Sequence, residues 1–237
     1  MLKDYIRIIR LLTIRAQVFF RSKLATGKRI LLIAPHPDDE IIGCAGLIQQ
    51  TLKAGKKIDV VILTDGGESH SNCCNIDEDT LIEARRKLSR KAAQVVGLPL
   101  EHLHFLNYPD GGISYENKET ERLKQLIEEL SPEAIFIPHK GEGWSDHVEA
   151  GNVIRKLKLS GIQLYEYCVW FWYYNVWDID WKNACVLKMN REEHQRKLKA
   201  MDAYITPLAP CGKPWSGILP KVFVKANQWN KELYFKG

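Results

Sequence analysis

Long apolar runs are absent from this 237-residue sequence. No stretch approaches the roughly 20 consecutive apolar residues that a membrane-spanning helix requires. The pattern of a secretory signal peptide is also missing, because Arg7, Arg10 and Arg15 interrupt the segment where an uncharged apolar region would stand. From these two absences we expect a cytoplasmic protein that does not span a membrane.

Cysteine pairs with the spacing of a redox or zinc motif are missing as well. The six cysteines show no Cys-x-x-Cys pair and no spacing typical of a small disulfide-bonded protein. The sequence has no internal repeat and no low-complexity tract, and its 45% hydrophobic and 27% charged residues are ordinary for a globular protein. We therefore expect one folded domain in a reducing compartment.

Basic charge is concentrated at one end of the chain. Residues 1–29 contain eight Lys or Arg and a single acidic residue, whereas the net charge of the whole chain is +5. The remainder of the chain is therefore slightly acidic. Because a nucleic-acid-binding face needs Lys and Arg clustered on the folded domain itself, we expect no nucleic-acid partner.

Residues 1–27 are predicted to be a basic amphipathic extension of a main domain over residues 28–237. A helix from residue 2 to about residue 24 would separate an apolar face from a line of Lys and Arg. One interpretation is a helix at the inner face of a membrane, with residues 1–24 in peripheral contact with anionic headgroups. The alternative is a helix that packs on the domain or on a second subunit of a homo-oligomer.

After residue 28 the sequence alternates between short apolar runs and amphipathic stretches. Continuous apolar runs are typical of strands covered on both faces, and the stretches between them have helical periodicity. This alternation predicts a Rossmann-like, doubly wound and mostly parallel α/β sheet. The predicted strands are 30–34, 58–64, 103–106, 134–137, 163–168 and 184–189, and the pattern assigns nothing to the tail after about residue 204.

The first predicted strand is followed by the segment Pro35-His36-Pro37-Asp38-Asp39-Glu40. Ligands of open parallel sheets bind beyond the carboxyl ends of the strands, so a site is expected here. The imidazole of His36 and the carboxylate of Asp39 can reach one small ion, and both are suitable zinc ligands. The alternative is an acidic first helical turn that complements the helix dipole. A Rossmann-type nucleotide site is not expected, because the glycine-rich turn that a pyrophosphate needs is missing.

A second histidine follows the strand at 134–137. His147 would begin a helix at the same sheet edge as His36, and a catalytic zinc usually has three protein ligands and one position left to water. An isolated histidine is more often structural, but a buried strand leads to this one and Asp146 precedes it. The adjacency indicates that Asp146 orients His147 as a carboxylate partner.

These segments resemble the LmbE-like or PIG-L family of zinc-dependent N-acetylglucosamine deacetylases. That family includes the enzyme acting on N-acetylglucosaminyl-phosphatidylinositol and the deacetylases of mycothiol and bacillithiol synthesis. The resemblance covers roughly residues 29–160, and the motif His-Pro-Asp-Asp-Glu is intact. It implies that His36, Asp39 and His147 hold Zn²⁺ and that Asp38 is the general base. The same ligand types also admit other divalent metals such as Fe, Co or Ni.

Two weaker matches and one departure concern the substrate. Arg85 and Asp110 stand where the resemblance places a substrate-binding arginine and an aspartate that binds sugar hydroxyls. Many family members carry a histidine three residues before the last ligand, where it stabilises the tetrahedral intermediate or protonates the leaving amine. Trp144 stands there in this sequence. Either His139 or another group then substitutes for that histidine, or the rate is lower.

The resemblance implies hydrolysis of the N-acetyl group of an N-acetylglucosamine-type conjugate, small or lipid-linked, to a free amine and acetate. Two alternatives stay open: a non-hydrolysing module that binds zinc and sugar, which Trp144 favours, and a hydrolase of another acylated amine. The aromatic run at 165–181 offers either sugar stacking or core packing, and none of its rings is assigned to the site. If the basic helix lies at a membrane, a lipid-linked sugar is the expected substrate.

Overall fold

The structure is a computed structural model that describes residues 2–70, 75–174 and 178–237; Cys73, Cys74 and Trp177 lie outside them. Within these residues the chain forms eight strands and seven α-helices. The strands are β1 (Ser22–Lys23), β2 (Arg29–Ala34), β3 (Lys57–Thr64), β4 (Leu103–Tyr108), β5 (Ala134–Pro138), β6 (Gln163–Tyr167), β7 (Ala184–Lys188) and β8 (Lys231–Lys236). The helices are α1 (Leu2–Val18), α2 (Asp39–Lys53), α3 (Glu78–Val96), α4 (Glu119–Leu130), α5 (Ser145–Lys156), α6 (Arg191–Ile205) and α7 (Lys221–Asn227).

The eight strands form one sheet with the order β1-β7-β8-β6-β5-β2-β3-β4. β8 runs antiparallel to its neighbours β6 and β7, and the other neighbouring strands are parallel. The chain passes from β2 to β3 on one side and later returns to β5 on the other side of β2. Such a reversal is a topological switch point, and ligands of open α/β sheets bind there, beyond the carboxyl ends of the strands.

Helices cover both faces of the sheet. In β2, Ile30 and Leu32 belong to the core shared with α2, α3 and α6, whereas Leu31 and Ile33 belong to the core shared with α4 and α5. Successive side chains of a strand point to opposite faces, so a continuous apolar run fills both cores. The predicted doubly wound, mostly parallel α/β fold is confirmed.

The two ends of the chain differ from the prediction. α1 ends at Val18 rather than near residue 24, and Ser22 and Lys23 instead pair in parallel with β7. β8 lies in the tail to which the sequence pattern assigned nothing. Its Glu232 is buried and lies 3.0 Å from Lys197 Nζ, so a charge pair interrupts the apolar run. A strand that buries a charge pair cannot be recognised from a continuous apolar run in the sequence.

Helix α1 packs on the domain through one face and leaves apolar side chains on the other. Leu11, Ile14 and Val18 are buried, and Arg10 donates to the backbone oxygen of Phe171 at 2.5 Å. The exposed side chains of this segment include Tyr5, Ile6, Ile8, Ile9, Leu12, Phe19 and Phe20. Among the described residues, no helix has the length and apolar character needed to cross a membrane.

The cysteines are of two kinds. Cys44, Cys168 and Cys185 are buried and free, whereas Cys211 is disulfide-bonded.

Candidate metal centre and active site

The turn after β2 carries an aspartate in an unusual backbone conformation. Asp38, the residue before α2, has a φ of 119°. A residue with a side chain rarely adopts this region, and such strain is common at functional sites. Glu40 stabilises the turn, because its Oε2 accepts the backbone N–H of Asp38 at 3.0 Å. Tyr204 in α6 donates its hydroxyl to the other oxygen of Glu40, so two buried side chains fix the position of Asp38.

The three residues predicted as metal ligands meet around one oxygen. Asp39 Oδ2 lies 3.3 Å from His36 Nδ1 and 3.3 Å from His147 Nε2. It also accepts the backbone N–H of His36 at 3.0 Å. Asp39 and His147 are each 1% exposed. The sheet therefore brings two imidazoles and a carboxylate together beneath the surface, as the sequence predicted.

The imidazoles and carboxylates of this cluster stabilise each other's charged forms. Burial lowers the pKa of His147, but the carboxylates of Asp39 and Glu142 outweigh burial and raise it to about 9. Burial opposes the ionisation of Asp39, yet His147 and His36 hold the pKa of its carboxyl below its usual range. Histidine ligands must be neutral to bind a metal, so metal binding at this cluster would release protons and depend on pH.

Each imidazole also faces a carboxylate with its other nitrogen. His36 Nε2 lies 3.2 Å from Asp110 Oδ1 and 3.2 Å from Asp146 Oδ2. His147 Nδ1 lies 3.2 Å from Glu142 Oε2. Carboxylates in such positions fix the tautomer and the orientation of a metal-bound imidazole.

The prediction that Asp146 orients His147 is wrong. The oxygens of Asp146 accept the backbone N–H of Gly111 at 2.7 Å and of Ile113 at 3.3 Å, and this direction turns the carboxylate towards His36. Successive helix residues point about 100° apart, because an α-helix has about 3.6 residues per turn. Sequence adjacency at the start of α5 therefore does not place Asp146 beside the ring of His147.

The His36, Asp39 and His147 cluster fits a divalent cation. Each residue offers one ligand atom, and these atoms lie within 4.8 Å of one another. Two imidazoles and one carboxylate form a donor set that suits zinc, and Fe, Co or Ni accept the same donors. His36, Asp110 and Asp146 also satisfy this spacing. In that second group Asp110 accepts the backbone N–H of Glu68, Asp146 accepts those of Gly111 and Ile113, and both carboxylates face His36 Nε2.

Arg85 is held beside Asp38 by backbone oxygens. It is 4% exposed, and its guanidinium donates to Pro37 at 2.8 Å and to Gly66 at 3.2 Å. Its Nη2 lies 3.9 Å from Asp38 Oδ2. Burial first and Asp39 next raise the pKa of Asp38 well above its usual range, and Arg85 opposes that rise. Gly66 has a φ of 69°, and a Cβ there would lie 2.4 Å from the guanidinium carbon.

These groups line a cavity of about 410 Å³, a size typical of small-molecule sites. Its polar wall contains the predicted site residues His36, Asp38, Asp39, Arg85, Asp110, Asp146 and His147. Its apolar wall contains Trp144, Trp170, Ile218, Leu219 and Phe223. Trp144 is 47% exposed and Ile218 is 71% exposed, so both stand at the mouth.

His139 does not take the place of the histidine that the family resemblance places at Trp144. Its side chain is buried, its Nδ1 accepts the backbone N–H of Gly141 at 2.9 Å, and its ring packs on Phe171 and Phe235. Among the described residues, the cavity wall contains no histidine besides the two metal-ligand candidates. Asp38 is a buried carboxyl of this cavity, and it lies beside Arg85.

Sequence reasoning missed the apolar wall and Glu142. Ile218 and Phe223 come from the tail, where a loop and a short helix leave no periodic pattern. Trp170 belongs to the aromatic run, in which core packing and ligand contact look alike. Nothing in a single sequence shows that the carboxylate of Glu142 is buried. The one signal that could have been used is the aromatic excess directly after β6.

The fold and the cluster define a doubly wound α/β protein with a His-Asp-His cluster that could hold a metal beyond the carboxyl ends of its strands. A comparison with known families agrees with the resemblance seen in the sequence. The family described as PIG-L, GlcNAc-PI de-N-acetylase, matches residues 31–158, more than half of the chain. The chain belongs to the PIG-L family.

Individual relatives share parts of this chain. It is 27% identical over 139 residues to the diacetylchitobiose deacetylase of Thermococcus kodakarensis, which covers 57% of this chain and 51% of that protein. The chain thus spans about half the length of the curated relatives it matches. The N,N'-diacetylchitobiose deacetylase of Pyrococcus horikoshii, solved with an inhibitor, has a TM-score of 0.60 at 21% identity, covering 77% of this chain and 72% of that one.

Another structural neighbour has a different reaction. The 4-carboxy-2-hydroxymuconate hydratase from Pseudomonas putida has a TM-score of 0.64 at 15% identity, covering 89% of this chain and 96% of that one. At such identities the likeness establishes the fold alone. The reaction must therefore be argued from the side chains of the cavity.

Proposed function

We propose that the protein hydrolyses the N-acetyl group of an N-acetylglucosamine-type conjugate and releases acetate and a free amine. The observation that supports this best is Asp38, a buried carboxyl beside the cluster of His36, Asp39 and His147 in a cavity that can hold a sugar. A general base next to a metal-binding cluster is the arrangement that hydrolysis of an amide needs. Membership of the PIG-L family supports an acetamido sugar as the substrate class.

The chain's own residues have distinct parts in this mechanism. A divalent cation such as Zn²⁺, held by His36, Asp39 and His147, supplies Lewis-acid polarisation of the acetyl carbonyl and makes water more acidic. Asp38 accepts the proton of the attacking water. It then returns this proton to the amide nitrogen as the carbon–nitrogen bond breaks, and acetate keeps the water oxygen. Asp38 takes both steps because Trp144 offers no acidic proton.

Arg85 and Asp110 bind the sugar in this proposal. Both line the polar wall, on the same side of the cavity as Asp38. Asp110 is oriented from behind, since its Oδ2 accepts the backbone N–H of Glu68 at 2.8 Å. Asp146 does not touch the sugar but positions His36 through the contact at 3.2 Å. At saturating zinc, Asp110→Asn is therefore expected to raise KM more than it lowers kcat, and it should also weaken zinc binding because Asp110 Oδ1 faces His36 Nε2.

The first test is acetate release from soluble and lipid-linked N-acetylglucosamine conjugates. Zinc-loaded protein is expected to release acetate, the chelated protein to stop, and added zinc to restore the rate. His147→Ala should bind zinc poorly and release no acetate, whereas Leu208→Ala, a substitution at an exposed site outside the cavity, should leave the rate unchanged. Release that persists after chelation and in His147→Ala would contradict the proposal.

Trp144 favours a second candidate, a module that binds zinc and sugar without hydrolysis. A protein of this kind would retain a conjugate with stoichiometric zinc and release no acetate. Equilibrium dialysis of an N-acetylglucosamine conjugate, read beside acetate release, separates the two. A zinc-loaded wild type that releases acetate from another acylated amine, but not from the sugar, would instead assign a different substrate.

We further propose that the conjugate is lipid-linked and that residues 1–27 form an extension whose apolar face contacts a membrane surface. Arg7 lies 3.6 Å over the ring of Tyr173, whose ring is 5.6 Å from that of Trp170 in the cavity wall. The N-terminal part of α1 therefore packs next to a side chain that contacts the cavity wall. Exposed Lys3 and Lys23 flank the apolar face in the chain and suit anionic headgroups.

Co-sedimentation with phosphatidylserine vesicles tests the membrane contact. Ile9→Asp and Leu12→Asp replace side chains that are 62% and 59% exposed, and Leu208→Asp is a matched control at 60% exposure. We expect the first two variants to lose vesicle binding and the control to keep it, with acetate release from a soluble conjugate unchanged in all three. A wild type that stays in solution as a dimer, and becomes monomeric in Ile9→Asp, would assign the face to a second copy instead.

A further inference from the structure

A carboxylate that the mechanism does not use lies behind the metal cluster. Glu142 stands in the loop between β5 and α5, and it is 0% exposed. A buried carboxylate is costly unless hydrogen bonds satisfy its oxygens. Backbone N–H groups do so here: Oε1 accepts from Val169 at 2.9 Å and from Phe171 at 3.1 Å, and Oε2 accepts from Trp170 at 2.5 Å.

The same carboxylate faces a metal-ligand candidate. Glu142 Oε2 lies 3.2 Å from His147 Nδ1. Among the described residues, this ring nitrogen makes no well-aligned hydrogen bond. The carboxylate of Glu142 is the charged group that faces it. The other nitrogen, Nε2, lies towards Asp39. A proton on Nδ1 leaves the lone pair of Nε2 directed at the metal position.

We propose that Glu142 is the positioning residue of His147. It holds the ring with Nδ1–H outward and Nε2 inward. It also joins this ligand to the apolar wall, because the backbone of Trp170 is fixed by the same carboxylate. The inference rests on the metal centre of the proposed function, but it concerns how His147 is held and not whether the amide is hydrolysed.

Glu166 provides a matched control. It is also buried, and its Oε2 lies 3.5 Å from His139 Nε2 and accepts the backbone N–H of Lys140 at 3.2 Å. Glu166 is thus a second buried carboxylate beside an imidazole and a backbone N–H. Glu166 differs from Glu142 in that it also pairs with Arg155 and that its imidazole neighbour His139 is outside the metal cluster.

Competition for zinc against a fluorescent chelator tests the proposal. Glu142→Gln is expected to bind zinc about 10- to 100-fold more weakly than the wild type, the range seen when partners of metal ligands are removed. Glu166→Gln is expected to keep the wild-type affinity. Thermal melting of the metal-free proteins identifies any general loss of folding. An unchanged zinc affinity in Glu142→Gln, or the same loss in both variants, overturns the proposal.

A measurement on the unaltered protein covers the case in which Glu142→Gln does not fold. In zinc-loaded protein with ¹⁵N-labelled histidine, we expect His147 to coordinate through Nε2 and to show a slowly exchanging Nδ1 proton. Coordination through Nδ1 contradicts the inference. Neither readout uses acetate release, so an inactive protein that binds zinc in this way would refute the hydrolysis and leave the role of Glu142 intact. A wild type that binds no zinc at this cluster would refute both.

Discussion

The two walls of the cavity come mainly from different parts of the chain. The polar wall, with His36, Asp38 and His147, lies within residues 31–158, the part that matches the family. The apolar wall is built largely from Trp170 and from the tail, with Ile42 and Trp144 as the exceptions. The contrast indicates that the family part supplies the reactive groups of the proposed site, whereas the remainder of the chain shapes the space for the group attached to the proposed sugar substrate.

The largest expected effect is on the polar wall. Asp39→Asn removes the charge that both imidazoles share, and a metal contributes several kcal/mol to such reactions. Because about 1.4 kcal/mol corresponds to a factor of ten, kcat should fall at least about 1,000-fold. Zinc content and acetate release measured together check this. Full activity with stoichiometric zinc in the variant would show that Asp39 is not a ligand.

A second variant tests a contact between the part of the chain that matches the family and the part outside it. Tyr204 comes from α6, outside the family match, yet its hydroxyl supports Glu40 beneath Asp38. Tyr204→Phe leaves a buried carboxyl with one partner fewer, so the free energy of unfolding should fall by about 1–3 kcal/mol, and kcat should fall as well.

Tyr165→Phe is the matched control for Tyr204. Tyr165 is a buried tyrosine whose hydroxyl donates to the backbone oxygen of Ala25 at 2.9 Å. This variant should lose stability but keep kcat. Urea unfolding and initial rates measure both quantities. If Tyr204→Phe loses only stability, α6 has no part in positioning the base.

The apolar wall should affect binding more than rate. Trp144→Ala removes a half-exposed ring at the mouth, and aromatic contacts contribute about 0.5–1.5 kcal/mol. We therefore expect KM to rise by a few-fold to about tenfold with kcat unchanged. Tyr115→Ala, at another exposed aromatic residue, is the control. A fall in kcat with KM unchanged would place Trp144 in the chemistry and break the division between the walls.

The smallest effect lies away from both walls and depends on pH. Asp59 Oδ1 lies 2.9 Å from His102 Nδ1 and 2.9 Å from His104 Nε2. Burial raises the pKa of Asp59, but hydrogen bonds from His104 and His102 outweigh it and lower the pKa. A carboxyl with a lowered pKa stabilises the fold above its unfolded pKa and loses this contribution as the pH falls through the folded pKa.

Asp59→Asn should therefore lower the free energy of unfolding at pH 6 by less than about 1 kcal/mol, since the pair is partly solvated. The difference from the wild type should shrink below about pH 4, where aspartate protonates. Urea unfolding at pH 6 and pH 3 measures it. A difference that stays constant between these pH values would contradict the role of the ion pairs. Acetate release should not change, because Asp59 lies outside the cavity wall.

The sequence was sufficient for the parts of the fold and site that depend on local pattern. Continuous apolar runs predicted β2, β3 and β5, and the turn with His36 and Asp39 follows directly from the end of β2. His147 could be placed because a buried strand leads to it. These features need only the order of residues and the rule that parallel strands end at one edge.

What the sequence could not supply depends on contacts between distant segments. The sequence pattern did not predict β8, because Glu232 interrupts its apolar run and pairs with Lys197 of α6. Sequence adjacency pairs Asp146 with His147, whereas hydrogen bonds from the backbone of Gly111 and Ile113 direct its carboxylate towards His36. The role of Glu142 is visible only in the fold, where the backbone N–H groups after β6 bind its carboxylate. Such partners are separated by many residues and leave no periodic signal in the chain.

In the proposed mechanism Asp38 performs the proton transfer at a metal centre that His36, Asp39 and His147 form without it. The most direct test is acetate release by zinc-loaded Asp38→Asn, with the zinc content of the same sample measured in parallel. We expect zinc to remain bound in a 1:1 ratio while kcat falls by about 10²–10⁴-fold, the range of general acid–base catalysis. An Asp38→Asn protein that holds zinc and releases acetate at the wild-type rate would contradict the claim.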